Sequence, residues 1–163
     1  MLTTLLVVVH VWAVLWLVAG IVGRDVCYWQ AGRANDLAAL LTVAQLAGTF
    51  ERAMVRPATF VVLITGLIAA WARGWPILGF LQGGTANWVL TALLIYLSVI
   101  PLIVFVFLPK GRVYRKALKE AVARDEVTPE LGAAINDPLV GAARAYEIVM
   151  DGALVFLMLT RNF

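Results

Sequence analysis

Four long apolar runs, separated by more polar connections, dominate the pattern of the chain. They cover residues 2–23, 53–72, 87–108 and 140–160. The hydrocarbon core of a bilayer is about 30 Å thick and requires roughly 20 apolar residues per helix. The runs are continuous rather than alternating, which is typical of helices and argues against strands, since an open sheet cannot cross lipid. The pattern therefore predicts an all-α polytopic membrane protein with four transmembrane helices in an antiparallel bundle, forming a single membrane domain over residues 1–163.

Composition leads to the same class. Hydrophobic residues make up 63% of the 163 residues and charged residues 14%, against roughly 45–50% and about 25% in soluble domains. A water-soluble globule of this length could not bury so much apolar surface, so a soluble enzyme is nearly excluded. The first run has no Lys or Arg ahead of it and is longer than a signal-peptide core, which favours a permanent span.

Positive charge predicts the orientation of the bundle. Both long connections, residues 24–52 and 109–139, are rich in Lys and Arg and lie on the same side of a four-span chain. The positive-inside rule places them in the cytoplasm and both termini on the non-cytoplasmic side. Residues 37–50 and 111–124 have helical composition, which predicts cytoplasmic helical extensions. The second of these is basic and amphipathic, and it is either suited to anionic headgroups or a solvated helix without lipid specificity.

The fourth run carries three ionisable side chains, Arg144, Glu147 and Asp151. Arg and Asp each cost roughly 2.5–3.5 kcal/mol on insertion scales, so intramembrane ionisable groups mark candidate sites. Their i, i+3, i+7 spacing places them on one face of a helix. We expect Arg144 to pair with Glu147 on the same helix, which leaves Asp151 to find a partner elsewhere or to share the site with a proton or cation.

His10, in the first run, is the expected partner of Asp151, because both lie at a similar depth when residues are counted from the outer helix ends at about 1.5 Å each. Thr65, in the second run, lies at this level as well, and Thr91 belongs to a polar stripe at helical spacing in the third run. The sequence thus predicts a buried polar cluster formed by His10, Thr65, Thr91, Arg144, Glu147 and Asp151.

Three interpretations of this cluster remain open. It is an interhelical hydrogen bond that only holds the bundle, an axial haem ligand, or a path for protons or cations through Glu147 and Asp151. Haem b at His10 would need a second ligand such as Tyr96 or Met158, or a second chain, because the sequence contains one histidine. A zinc site is disfavoured by the same shortage of ligands, and no catalytic constellation is recognisable, which argues against an enzyme.

A set of residues spread along the chain carries a resemblance to a known family. His10 is followed by Trp16 and Gly20, Glu51 precedes Pro57 and Ala58, and further matching positions are Thr65, Gly66, Leu67, Trp88 and the stretch from Phe156 to Arg161. On these residues the chain resembles a bacterial family of small predicted integral membrane proteins described as a domain of unknown function. That resemblance implies a multi-pass protein of the bacterial inner membrane. The histidine in the first run is also distantly similar to that of HemJ-type protoporphyrinogen oxidases and the copper-resistance protein D group, which implies a porphyrin or metal at His10.

Taken together, we expect a binding or structural membrane component, or a subunit of a larger membrane complex, with a buried His–carboxylate cluster. Its expected partners are the lipid bilayer and other membrane subunits. The net charge of +3 is explained by topology rather than by nucleic-acid binding. The alternatives are a haem b redox protein with His10 as axial ligand, and proton or cation transport through Glu147 and Asp151.

Overall fold

The first half of the chain is a hairpin of two long helices. The structure is a computed structural model that describes residues 1–34, 36–83 and 88–160. Helix α1 covers Leu2–Ala31. After a short connection, α2 covers Leu37–Phe50 and begins at Asp36, whose carboxylate accepts a hydrogen bond from the Ala39 amide at 2.7 Å. A π-helical turn, Glu51–Val55, leads without a break into α3, Arg56–Ala72.

The second half contains one long helix with a π-helical turn, followed by two further helices. Helix α4 covers Trp88–Leu102, a second π-helical turn covers Ile103–Phe107, and α5 covers Leu108–Arg124. The short helix α6, Pro129–Ile135, precedes α7, Pro138–Thr160. A 3₁₀ turn at Gly79–Gln82 follows α3. The all-helical class is thus confirmed for the described residues.

Each π-helical turn ends just before a proline. Pro57 and Pro109 lie in the first turns of α3 and α5. A proline ring inside a helix collides with the carbonyl four residues earlier, and for both prolines that residue, Ala53 or Phe105, belongs to the π turn. The wider turn makes room for the ring, and the two helices continue across it as Leu37–Ala72 and Trp88–Arg124.

Three of the described helices are long and apolar enough to cross a membrane: Leu2–Ala31, Leu37–Ala72 and Trp88–Arg124. They extend well past the ends of the first three apolar runs, so parts of the connections expected at 24–52 and 109–139 continue the spans as helix. Helix α7 lies outside this group because Arg144, Glu147 and Asp151 interrupt its hydrophobicity. The fourth span and the location of both termini stay predictions.

Close packing joins α1 to the following helix. Ala13, Leu17 and Ile21 are buried against Val55, Ala58 and Val62. A Cβ added at Gly20 would lie 2.7 Å from the Cβ of Met54, and one at Gly23 would lie 2.6 Å from the Phe50 ring. The two glycines therefore let the backbones approach closely, as small residues do in membrane helix pairs.

A second apolar cluster forms at the end of the molecule where α1 meets α2. Leu40, Ala117, Ala121 and Leu131 are buried there, which packs α2, α5 and α6 together. In a third apolar cluster, Val106 of the second π turn packs against Val140 and Ala143 of α7. This arrangement fixes α7 beside the second π turn and brings its charged face toward α1.

Candidate functional site: a charge cluster beside a cleft

The guanidinium of Arg24 is the centre of a buried charge cluster. Its Nε donates to Asp25 Oδ1 at 2.9 Å, its Nη1 to Glu51 Oε2 at 3.2 Å and its Nη2 to Glu147 Oε2 at 2.5 Å. The Phe107 ring lies 5.9 Å from the guanidinium carbon. One side chain of α1 thus connects the first π turn, the second π turn and α7, since a planar guanidinium presents several donors in fixed directions.

The Arg24–Glu147 pair is deeply buried. The side chains are 8% and 7% exposed, whereas the Glu51 side chain is 30% exposed. Removing one partner of a buried ion pair costs about 3–5 kcal/mol because the other charge is left uncompensated. Replacing Arg24 alone therefore leaves the Glu147 carboxylate buried without an ion-pair partner among the residues that the structure describes. Replacing Glu147 alone leaves Arg24 bonded to Asp25 and Glu51.

Arg144 forms the second centre of the cluster. Its guanidinium carbon lies 3.8 Å from the centroid of the Tyr28 ring, and its Nε lies 3.8 Å from Asp25 Oδ1. The expected Arg144–Glu147 pair on one helix is therefore replaced by contacts between helices, because Glu147 turns to Arg24. Asp25 is shared by the two arginines, and the α7 side chains of Arg144 and Glu147 both contact residues of α1.

His10 does not meet Asp151. Its Nδ1 lies 3.0 Å from Thr65 Oγ1, and the Thr65 hydroxyl donates to the Val61 carbonyl at 2.6 Å. Because the single hydroxyl hydrogen is used, the imidazole Nδ1 donates to Thr65. A Cβ added at Gly66 would lie 2.9 Å from His10 Cε1, so this glycine leaves room for the ring.

Helix register explains the difference from the expected pairing. Arg24 and Glu147 lie at one level. His10 is 14 residues from Arg24, or about 21 Å along α1, whereas Asp151 is four residues from Glu147, or about 6 Å along α7. The two side chains are thus roughly 15 Å apart in depth. They border different cavities, and one oxygen of Asp151, Oδ2, is buried without a hydrogen-bond partner among the described residues.

The remaining predicted member of the cluster, Thr91, lies on an exposed face of α4. Three residues of the charge cluster, Arg24, Asp25 and Glu51, are not among the residues predicted from the sequence, because they fall in the expected cytoplasmic connection at 24–52. The available signal was that an apolar stretch continues past the Arg24–Asp25 pair to Ala31, which indicates that the helix and its buried face do not end at Gly23.

Two cavities adjoin these groups. His10, Trp75, Trp88 and Met158 border an apolar cavity of about 140 Å³. A much larger cleft of about 810 Å³ lies between the α2–α3 and α4–α5 helices, with the charged face of α7 along its wall. Small-molecule sites usually occupy about 300–1,000 Å³, so the cleft has the volume of a ligand site and the histidine cavity does not.

Comparison with known proteins identifies a family. A family model described as "Predicted integral membrane protein (DUF2269)" matches residues 4–162. No curated protein and no solved structure matches the chain. The resemblance to a family of predicted integral membrane proteins of unknown function is thereby confirmed, while the distant similarity to the HemJ-type and copper-resistance groups is not shown.

Proposed function

The chain belongs to the family described as "Predicted integral membrane protein (DUF2269)", and from this we propose that it is a non-catalytic binding component of the membrane. In this proposal it is a four-span bundle whose cleft receives an amphiphilic ligand from the bilayer. The bacterial inner membrane is the proposed location, with both termini on the non-cytoplasmic side.

The length of α7 and the pairing of its charged side chains support the proposal that α7 is the fourth membrane span. Its 23 residues measure about 35 Å, enough for the hydrocarbon core. Glu147 is neutralised by Arg24 and Arg144 lies against Asp25 and Tyr28, so two of its three charges enter the membrane paired. Ionisable groups in membranes face the bundle interior in this way. The outer faces of α7 present exposed apolar side chains: Leu139, Ile148, Val149, Phe156 and Leu159.

The observation that carries the proposal is the character of the cleft wall. Phe60 and Ile100 line the cleft and are nevertheless 68% and 44% exposed. Side chains that border a cavity and also face outward lie at its opening, so the cleft opens sideways, where lipid would surround the helices. Charged groups lie toward the α2–α5 end of the cleft. A ligand with an apolar part and a polar end matches this arrangement.

The alternatives from the sequence have less support. A haem at His10 does not fit a cavity of about 140 Å³, well below usual ligand sites. Transport through Glu147 and Asp151 requires two carboxylates that can exchange their partners, whereas Glu147 is held by Arg24. The carboxylates of Asp25, Glu51 and Glu147 are bound by Arg24, which favours a structural role for these groups beside a binding cleft.

A pair of neighbouring substitutions tests the cleft. Ile103→Trp places an indole ring in the cleft, whereas Val104→Trp places the same ring at a residue that is 48% exposed and lies outside the cleft lining. Both are in the second π turn. We expect native mass spectrometry to find bilayer lipid retained by the unmodified protein and by Val104→Trp, with retention reduced to a minor fraction in Ile103→Trp. Equal retention in the two variants, at unchanged melting temperature, would contradict the proposal.

A further inference from the structure

Besides Arg24 and Arg144 of the charge cluster, four cations line the polar end of the cleft. Arg52 and Arg56 are one turn apart at the junction of α2 and α3, and Lys110 and Arg115 lie on α5. We refer to these four residues as the basic quartet. They come from the two walls of the cleft, so a ligand between the walls would be within reach of cations on both sides.

Two members of the basic quartet have no carboxylate to neutralise them. Arg56 Nε lies 3.1 Å from Glu51 Oε1, and Lys110 Nζ lies 2.6 Å from Asp137 Oδ2. Within the described part of the chain, no carboxylate oxygen lies within 4.0 Å of Arg52 or Arg115. The quartet therefore has surplus positive charge at the cleft.

The two unneutralised arginines have the same local setting. A Cβ added at Gly48 would lie 3.6 Å from an Nη of Arg52, and one at Gly111 would lie 3.6 Å from an Nη of Arg115. In both cases the glycine is four residues earlier on the same helix and also lines the cleft. Each guanidinium thus lies back along its helix over a residue without a side chain, which keeps it beside the cavity.

Apolar side chains follow these cations along both walls of the cleft. Phe60 is one helical turn beyond Arg56, about 6 Å along the helix, and Ile100 is ten residues from Lys110, about 15 Å. A phospholipid has the same order of parts, a phosphate followed within a few ångströms by acyl chains. Guanidinium groups bind phosphate oxygens with paired hydrogen bonds, and the lateral opening gives access from the bilayer.

We propose that the ligand of the cleft is an anionic phospholipid, with its phosphate held by the basic quartet and one acyl chain lying along Phe60, Ile100 and Ile103. This inference rests on the cleft function proposed above and adds the headgroup class. It assigns Arg52 and Arg115 as the principal phosphate ligands, since the other two cations already have carboxylate partners.

The test measures lipid affinity of the full-length protein in a neutral detergent. Phosphatidylglycerol and phosphatidylcholine with identical acyl chains are titrated separately and the bound fraction is read by native mass spectrometry. We expect phosphatidylglycerol to bind at least tenfold more tightly. Arg52→Gln and Arg115→Gln should each weaken it about five- to tenfold, the effect of one cation near an anionic headgroup, while Arg52→Lys should recover part of the affinity.

Matched controls lie on the same helix as Arg115. Arg112 and Lys119 are exposed on α5 and do not line the cleft, so Arg112→Gln and Lys119→Gln should change affinity less than twofold. An equal loss of affinity in these controls would mean that the lipid is attracted to the basic helix in general rather than bound in the cleft. That result would overturn the inference. Displacement of the lipid by soluble glycerol phosphate at comparable concentration would overturn it as well, by showing recognition of free phosphate.

The two proposals fail in different ways. If phosphatidylcholine binds as tightly as phosphatidylglycerol and Ile103→Trp abolishes both, the cleft function stands and the headgroup assignment is wrong. If Ile103→Trp leaves the binding of both lipids unchanged, the cleft itself is wrong. Melting temperatures of all variants, measured without added lipid, separate loss of binding from loss of folding.

Discussion

Arg24 and Glu147 provide the sharpest test of the structure. Replacing Arg24 with Gln removes the only ion-pair partner within 4.0 Å of Glu147 among the described residues and leaves a carboxylate that is 7% exposed. Replacing Glu147 with Gln leaves Arg24 bonded to Asp25 and Glu51. We therefore expect Arg24→Gln to lower the free energy of unfolding by about 3–5 kcal/mol and Glu147→Gln by about 1–3 kcal/mol.

The double substitution measures the pair itself. Once Arg24 is gone, converting Glu147 to Gln removes a buried uncompensated charge, so the double variant should be more stable than Arg24→Gln alone. The corresponding coupling energy should therefore exceed the cost of Glu147→Gln alone and be about 3 kcal/mol, the upper end of the range for groups in direct contact. Reversible unfolding in mixed micelles, followed by circular dichroism, gives all four free energies.

A surface pair serves as the control. Arg56 is 61% exposed and its Nε lies 3.1 Å from Glu51 Oε1, so Arg56→Gln should cost less than about 1 kcal/mol. The reasoning is refuted if Arg24→Gln is no more destabilising than Arg56→Gln, or if the effects of Arg24→Gln and Glu147→Gln simply add. Either result would mean that α7 is not held against α1 by this pair.

Further measurements test the packing, the α7 cap and the topology. Gly20→Ala should destabilise by roughly 1–3 kcal/mol because its Cβ would meet Met54, whereas Gly141→Ala, with open space around it, should not. The hydrogen bond from Lys110 lowers the pKa of Asp137 from 3.8. The stabilisation from this bond is therefore present above pH 3.8 and is lost as the pH falls through the lowered pKa of the folded state. Asp137→Asn should remove this pH dependence in acid titrations of stability. In a cysteine-free background, Thr160→Cys should react with an impermeant maleimide from the non-cytoplasmic side and Lys119→Cys only after permeabilisation; the reverse pattern would exclude the proposed orientation.

The helical faces of the charged residues followed from the sequence, but their partners did not. Arg144, Glu147 and Asp151 lie on α7 at the spacing that predicts a common face, and this face does border the cleft. Periodicity fixes which residues share a side of one helix. It carries no information about the axial position of that helix relative to its neighbours. In the structure, Asp151 and His10 are roughly 15 Å apart in depth.

The chain by itself determined that the protein is helical and belongs in a membrane, because long apolar runs can satisfy their backbone hydrogen bonds in lipid only as helices. Tertiary packing decided the site. Close contacts at Gly20 and Gly23 set the register of α1 against its neighbour, and both π turns alter the rotation of the residues that follow them. These contacts bring Arg24 to Glu147, although the two residues are 123 positions apart in the sequence. The result is a buried ion pair at a level where the sequence predicted the end of a membrane span.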